Sequence, residues 1–442
     1  MATKRNIGAA LPQPQISTIT IANTWAAGDI ATVTINNKIV SMTCGSTMDT
    51  TAEVAAGLKE VLGLSTHDPA SISADCTTTY GGYEFAEFRD ATYTVSGSVV
   101  TCTSVGAMPF TMTSGETTAG TGTASYAVAT AASGPNFFMG NNNWEGGAEP
   151  DDDDTVVFDG ASASIYYGLN NALADLNITT TADYTGDIGL PKINARGYTE
   201  YRQRFLDATV TVTTGVQAVI LDGTGRRYID FSTAADASNN LTVTVINASA
   251  NSSDGPAVQL VGGKNMEFVS HAGTISLSDH IAENLTNIQS IKNLGNAYVT
   301  VGTAATFVDV ANSIEHNGGT LDFDAACNGA ATETRIFGGT FIARENTDLD
   351  AYHQYGGVCD WRGVTLDTPV LYGGTFDGSN CTVTGVSGNF RVFKGVTFID
   401  PNRVLLATST LGLVGCSVSE VNLKLKSNLT LSFTTTVAPS IG

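Results

Sequence analysis

The sequence predicts a mainly β chain, with a small α+β domain (hairpin, helix, hairpin) followed by a long C-terminal parallel β-solenoid, or β-helix. Three observations predict it. A short phrase repeats along the C-terminal region: Gly318-Gly319-Thr320-Leu321, Gly338-Gly339-Thr340-Phe341 and Gly373-Gly374-Thr375-Phe376, with looser copies at Gly363-Val364-Thr365-Leu366 and Gly395-Val396-Thr397-Phe398. The second glycine, or its equivalent, falls at 319, 339, 363, 374 and 395, in steps of 20, 24, 11 and 21. A glycine turn followed by Thr-apolar alternation every ~20–25 residues is what a stacked β-coil needs. Composition agrees. The chain has 47 Gly, is rich in Thr, Val, Ser and Ala, and only 14% of its 442 residues are charged, well below the typical ~25%. Thirdly, helical periodicity is confined to one short N-terminal stretch.

Residues 1–15 read as an extended arm, because Pro12 and Pro14 disfavour helix. Its basic start suits docking on an acidic neighbour. Residues 16–134 read as the α+β domain. Ile16-Ser17-Thr18-Ile19-Thr20-Ile21 alternates as a strand. Ala31–Ile35 and Lys38–Met42 flank Asn36-Asn37, a tight hairpin turn. Thr50-Thr51-Ala52-Glu53 is a capping box, and Val54, Ala55, Leu58, Val61 and Leu62 share one helical face up to a stop at Gly63. Ala91–Val95 and Ser98–Thr103 form a second hairpin, and Phe110–Thr113 adds an edge. The helix is expected to cross one small antiparallel sheet. Gly115–Thr123 reads as flexible, and Gly134-Pro135 marks a boundary.

Residues 135–442 read as the β-helix, with a cap over its first coil near 140–160. Trp144 is expected to lie over that coil and protect its edge from pairing. Strands are expected at Thr155–Phe158, Thr209–Val212, Ala218–Leu221, Leu241–Ile246, Val258–Val261, Tyr298–Val301, Thr306–Val310 and Val421–Leu425, with Leu429–Phe433 closing the far end.

Charge and hydropathy exclude several classes. The net charge of −21 opposes nucleic-acid binding. No polybasic or amphipathic anchor occurs, and apolar runs such as Val404–Ala407 are far too short to span a bilayer. Met1–Ala10 has no apolar core behind Lys4 and Arg5, so no secretory signal is read there. The seven cysteines, at 44, 76, 102, 327, 359, 381 and 416, show no C-x-x-C and read as reduced, buried hydrophobes.

Few residues carry recognisable chemistry. Asp151–Asp154 is the densest acidic run, but it lacks the spacing of a calcium loop and reads as a solvated turn. Asp322/Asp324 and Asp348/Asp350 are carboxylate pairs at i, i+2, the spacing that puts both on one face of a strand. Asn346-Thr347-Asp348 matches one motif of pectin-hydrolysing β-helices, without the companion motifs that should follow it. His67, His271, His280, His316 and His353 have no metal-ligand spacing. One neighbourhood places acid, imidazole and aromatic groups close together. Asp348, Asp350, His353 and Trp361 are the candidate carbohydrate-binding residues, with a loop packed on the solenoid wall as the plainer reading. No catalytic residue, metal site or cofactor is expected.

Two segments carry a resemblance. Residues 16–113, with Thr32–Lys38, Ala52–Leu62 and Tyr93–Ser104, resemble a module of bacteriophage structural proteins and of flagellar-filament accessory domains. Asn143-Trp144-Glu145-Gly146-Gly147-Ala148-Glu149-Pro150, the aspartates after it and Thr155–Phe158 resemble the opening coil of bacterial and phage β-solenoids; Tyr184–Pro191 and Gly197–Arg202 resemble β-helical proteins of prophage-like regions. The resemblance implies a non-enzymatic virion structural protein. It would be anchored by its N-terminal domain to capsid or tail, and serve as capsid decoration or in host attachment in the manner of a tail fibre. Its implied partners are other virion proteins and a cell-surface glycan; a homotrimer is expected because the Thr/Val/Gly-rich outer faces of one solenoid leave lateral surface to bury. A polysaccharide-cleaving tailspike and a bacterial adhesin are the alternatives.

Overall fold

The computed structural model describes residues 2–424 apart from 67, 69–70, 168–172, 190–209, 212–215, 232–239, 249–255, 263–265, 278–287, 303–306, 324–325, 330–332, 344–347, 350, 362–364, 367–368, 379–389 and 401–410. The chain forms two compact units. Ile7–Ala148 is the core of one, and Met1–Asn6 belongs with the chain from Glu149 onward in the other.

The first unit holds two four-stranded antiparallel sheets rather than one. Ala91–Ser96, Val99–Ser104, Ile16–Ala22 and Thr123–Thr130 lie side by side in one; Cys76–Thr77, Lys38–Cys44, Ile30–Ile35 and Met112–Thr117 form the other. The expected hairpins are present. Asn36 and Asn37 take φ of 46° and 72°, the left-handed pair that a two-residue turn requires. The helix runs Thr51–Leu62, with both bonds of the Thr50/Glu53 capping box and a stop at Gly63. Its inner face buries Val54, Leu58, Val61 and Leu62 completely or nearly so, each stabilising by roughly 1.5–3 kcal/mol.

Of the stretch Gly115–Thr123 read as flexible, 118–122 is a loop, while its two ends belong to strands. Met112–Thr117 pairs with Ile30–Ile35, and Thr123–Thr130 pairs with Ile16–Ala22. Both partners lie far away in sequence. Local turn residues therefore signalled the loop, and long-range backbone pairing set where the strands on either side of it end.

The second unit is a β-solenoid of stacked parallel coils. One sheet grows from Thr155–Phe158 to Leu411–Leu413, and a ten-stranded sheet from Arg227–Phe231 to Asn422–Lys424. A third face is formed where Phe307–Asp309, Ala326–Gly329, Asp348–Leu349 and Thr365–Leu366 pair in turn. One register column shows the period: His316, Ile336, Gln354, Leu371, Val392 and Leu413 are successive partners, 20, 18, 17, 21 and 21 residues apart.

The half-length step in the sequence repeat is thereby explained. Thr365–Leu366 belongs to the third face, not to the turn column. The missing copy is Gly356-Gly357-Val358-Cys359. Thr320, Thr340, Val358, Thr375 and Thr397 each donate a backbone N–H to the turn carbonyl of the coil before: Ala297, Gly319, Gly339, Gly357 and Gly374.

The first coil is closed by the N-terminus. Thr3–Arg5, expected in a free arm, is a strand paired in parallel with Thr155–Val157. Arg5 forms a two-bond ion pair with Asp159, which holds that carboxyl below its usual range. Trp144, expected over the first coil, packs edge-on against Phe138 at 5.0 Å and donates to the Phe138 carbonyl at 2.8 Å within the first unit. The strand Leu429–Phe433, expected at the far end, lies outside the described residues. Among the described residues no helix is long and apolar enough to cross a membrane.

Candidate functional site

Strand parity decides where the candidate residues point. Tyr352 and Gln354 face inward and His353 faces out. Cys359 and Trp361 face inward and Asp360 faces out. Trp361 is completely buried. Its indole meets Phe341 at 5.5 Å, Tyr352 at 5.0 Å and Phe376 at 5.9 Å. It is a core residue and presents no face to a sugar. Asp348 lies in the third-face strand, and Asp350 is outside the described residues. His353 is placed on the outer surface, half-buried.

His353 adjoins a feature that the sequence reading missed. Phe337, Tyr355, Tyr372 and Phe393 stack on four successive coils, with ring centres 4.8, 4.7 and 4.8 Å apart and planes within 8°, 4° and 24° of parallel. The spacing follows from the coil repeat of ~4.8 Å. The His353 ring lies near-parallel to Tyr355 and Tyr372, at 6.5 and 6.1 Å. Phe337, Tyr355 and Tyr372 are 44, 42 and 37% exposed. Their faces cover one another, so the strip offers mainly ring edges to solvent. The signal is present in the sequence: each aromatic residue stands immediately before a turn, as Phe337-Gly338-Gly339, Tyr355-Gly356-Gly357, Tyr372-Gly373-Gly374 and Phe393-Lys394-Gly395.

Beside this stack runs an outward column of polar residues. Lys292, Glu315, Arg335 and His353 are register partners in succession, and Arg391 follows two coils beyond His353. Arg335 is bound through both its Nε and Nη2 to Glu333, and Lys394 pairs with Glu420 at 3.0 Å. Cations and carboxylates thus alternate along this flank, where Lys292, Arg335, Arg391 and Lys394 stand among Glu315, Glu333 and Glu420.

The other candidates take structural places. Asp322 is buried and accepts a hydrogen bond from Tyr298 at 3.3 Å; Asp324 lies outside the described residues. Asp154 turns inward, accepting the N–H groups of Ala2 and Asp151, while Asp151, Asp152 and Asp153 are exposed. His316 is fully buried next to Phe341, and burial pushes its pKa down to about 4. Among the described residues no three His, Cys, Asp or Glu side chains are grouped to hold a metal ion. The chain matches no protein-family model, no curated protein and no solved structure.

Proposed function

We propose that the chain is a non-enzymatic attachment protein of a bacteriophage or phage-like particle. Its antiparallel domain anchors to capsid or tail, and its β-solenoid contacts a cell-surface glycan. The observation that carries this reading is the exposed aromatic stack with the polar column beside it. Area favours a narrow ligand. Rings of ~200 Å² that are some 40% exposed present on the order of 300 Å² in total, against the ~800 Å² per partner of a stable protein interface. A linear glycan lying along the coils would meet one ring edge per coil, with polar side chains of both signs beside it to hydrogen-bond its hydroxyl groups. The homotrimer is a separate part of the proposal and needs other outer faces of the solenoid.

Two measurements test it. Mass spectrometry and antibody labelling of purified native particles should find the chain on their surface; absence from particles removes the virion reading. Binding of the purified chain to host surface polysaccharide should weaken about tenfold or more, ~1.4 kcal/mol, in Tyr355→Ala/Tyr372→Ala. Equal binding by this variant removes the stack from the reading.

One observation favours a tailspike-type hydrolase instead. Asp360 and Asp377 are direct register partners on neighbouring coils, both outward and half-buried. The coil spacing of ~4.8 Å is close to the ~5–5.5 Å between the carboxylates of retaining glycosidases. Release of reducing ends by the native chain, lost in Asp360→Asn and in Asp377→Asn, would establish that reading; no release discards it.

A further inference from the structure

We propose that Cys44 and Cys76 are a built disulfide site, reduced here and closed by a small disulfide oxidant. The two are direct register partners in the antiparallel pairing of Lys38–Cys44 with Cys76–Thr77. Gly45 donates its N–H to the Asp75 carbonyl at 2.7 Å, so Gly45 and Asp75 are a hydrogen-bonded pair and Cys44 and Cys76 the adjoining non-hydrogen-bonded one. Such pairs bring Cα atoms to ~4.5 Å with side chains on the same face, within the ~4.4–6.8 Å that a disulfide spans.

The alignment is held from both sides. Asp75 accepts from the Thr47 N–H at 2.7 Å and the Thr47 hydroxyl at 2.9 Å. Glu60, on the helix, accepts the N–H groups of Ser73 at 2.7 Å and Ala74 at 3.0 Å. These bonds clip the segment that carries Cys76 between the helix and the strand that carries Cys44. Cys76 lies on a two-residue edge strand and is half-buried, between exposed Asp75 and Thr77, so a small oxidant reaches it from the sheet edge. Cys44 is buried behind it.

The chemistry is ordinary thiol–disulfide exchange. The Cys76 thiolate attacks oxidised glutathione, forming a mixed disulfide and releasing one glutathione thiolate. The Cys44 thiolate then attacks Cys76 Sγ and releases the second. Two cysteine thiols lose two electrons and two protons, and one oxidant disulfide becomes two thiols. Burial holds both thiols up at about 11, with Asp29 adding to the effect at Cys44, and Glu60, Cys44 and Asp75 at Cys76. Thiolate is therefore scarce near neutral pH and exchange is slow. The closed loop contains the whole helix Thr51–Leu62. The bond restricts the unfolded chain and so stabilises this unit. None of this depends on the function proposed above.

The test uses the full chain, refolded from denaturant in a glutathione buffer with oxidised glutathione in excess and mapped by non-reducing peptide mass spectrometry. The expected product is a linked peptide pair carrying Cys44 and Cys76, with Cys102 still alkylatable. The unfolding midpoint should rise relative to the reduced chain, and the rise should vanish in Cys44→Ala and Cys76→Ser. Full alkylation of both cysteines after refolding, or linkage of either to another cysteine, overturns the proposal. A correctly linked chain with an unchanged midpoint overturns the stabilising role. If a variant fails to fold, the wild-type peptide map decides.

Discussion

At the scale of single residues, one inward register column shows how the solenoid manages buried polarity. Ser270, Asn293, His316, Ile336 and Gln354 follow one another on successive coils, all fully buried. Asn293 donates to the carbonyls of Ala297 and Thr320, and Gln354 to those of Gly357 and Thr375. Each ties its own turn to the next coil. His316 stands in the same place beside Phe341, but neither ring nitrogen closes a hydrogen bond of good geometry. Its folded pKa of about 4 lies below the unfolded value of 6.5. Above pH 6.5 both states are neutral and this residue confers no pH dependence. As pH falls from 6.5 towards 4, the unfolded chain takes up the proton first and stability is lost, by up to about 3 kcal/mol. Denaturant midpoints at pH 7 and pH 4.5 should therefore differ less in His316→Gln than in the native chain. The variant should also match or exceed native stability if glutamine repeats the bonds made by Gln354. The residue scale is also where sequence reading failed. His353 and Trp361 looked alike as site candidates, yet one faces out and the other in. Alternation fixes the relative sides of neighbours, but with Tyr352, Tyr355 and Trp361 all aromatic it did not say which side is the core.

At the scale of elements, the turn between the two main sheets governs the stacking. Gly319, Gly339, Gly357 and Gly374 have φ of 68°, 71°, 73° and 80°. A Cβ on Gly357 would lie 2.6 Å from the Gly339 carbonyl oxygen of the coil below, whereas one on Gly395 (φ 88°) meets nothing within 4 Å. Gly395→Ala should cost only the left-handed strain of ~1–2 kcal/mol. Gly357→Ala must also push two coils apart and should cost clearly more, which denaturant unfolding of the two variants would compare. The aromatic stack outside the same turns makes a second prediction. An inner ring has two stacked neighbours, each pairing being worth ~0.5–1.5 kcal/mol. Tyr355→Ala should therefore destabilise by about 1–3 kcal/mol, and a double-mutant cycle with Tyr372→Ala should show coupling. Additive losses would mean that the rings do not support one another. The glycine phrase was readable because the turn demands that residue type. The aromatic column was not read as a unit, because its members are 18, 17 and 21 positions apart and become neighbours only through the coil register.

At the scale of the molecule, the N-terminal strand decides how the first coil ends. A parallel stack leaves an open edge of unpaired backbone groups at its start, a site for pairing with another chain. Thr3–Arg5 covers that edge along Thr155–Val157, and Arg5 bonds Asp159. Removal of residues 1–6 should uncover it and increase self-association in light scattering at equal concentration. Arg5→Ala, which keeps the strand but loses the ion pair, should have a much smaller effect. A truncated chain that stays as monodisperse as the native one would show that the edge is protected in another way.

Short-range pattern was enough to establish that the chain is mainly β, that its C-terminal region winds into coils of about twenty residues, and that one capped helix lies near the N-terminus. Each of these rests on local chemistry: glycine where φ must be positive, alternation where one face is buried, a capping box where a helix begins. Four outcomes came from long-range packing alone. Thr3–Arg5 belongs to the solenoid, the small domain has two sheets, Trp361 is a core residue and not an exposed ring, and four spaced aromatics form one strip. They depend on backbone pairing between segments far apart in the chain, and a local pattern carries no record of which distant edge a strand will join.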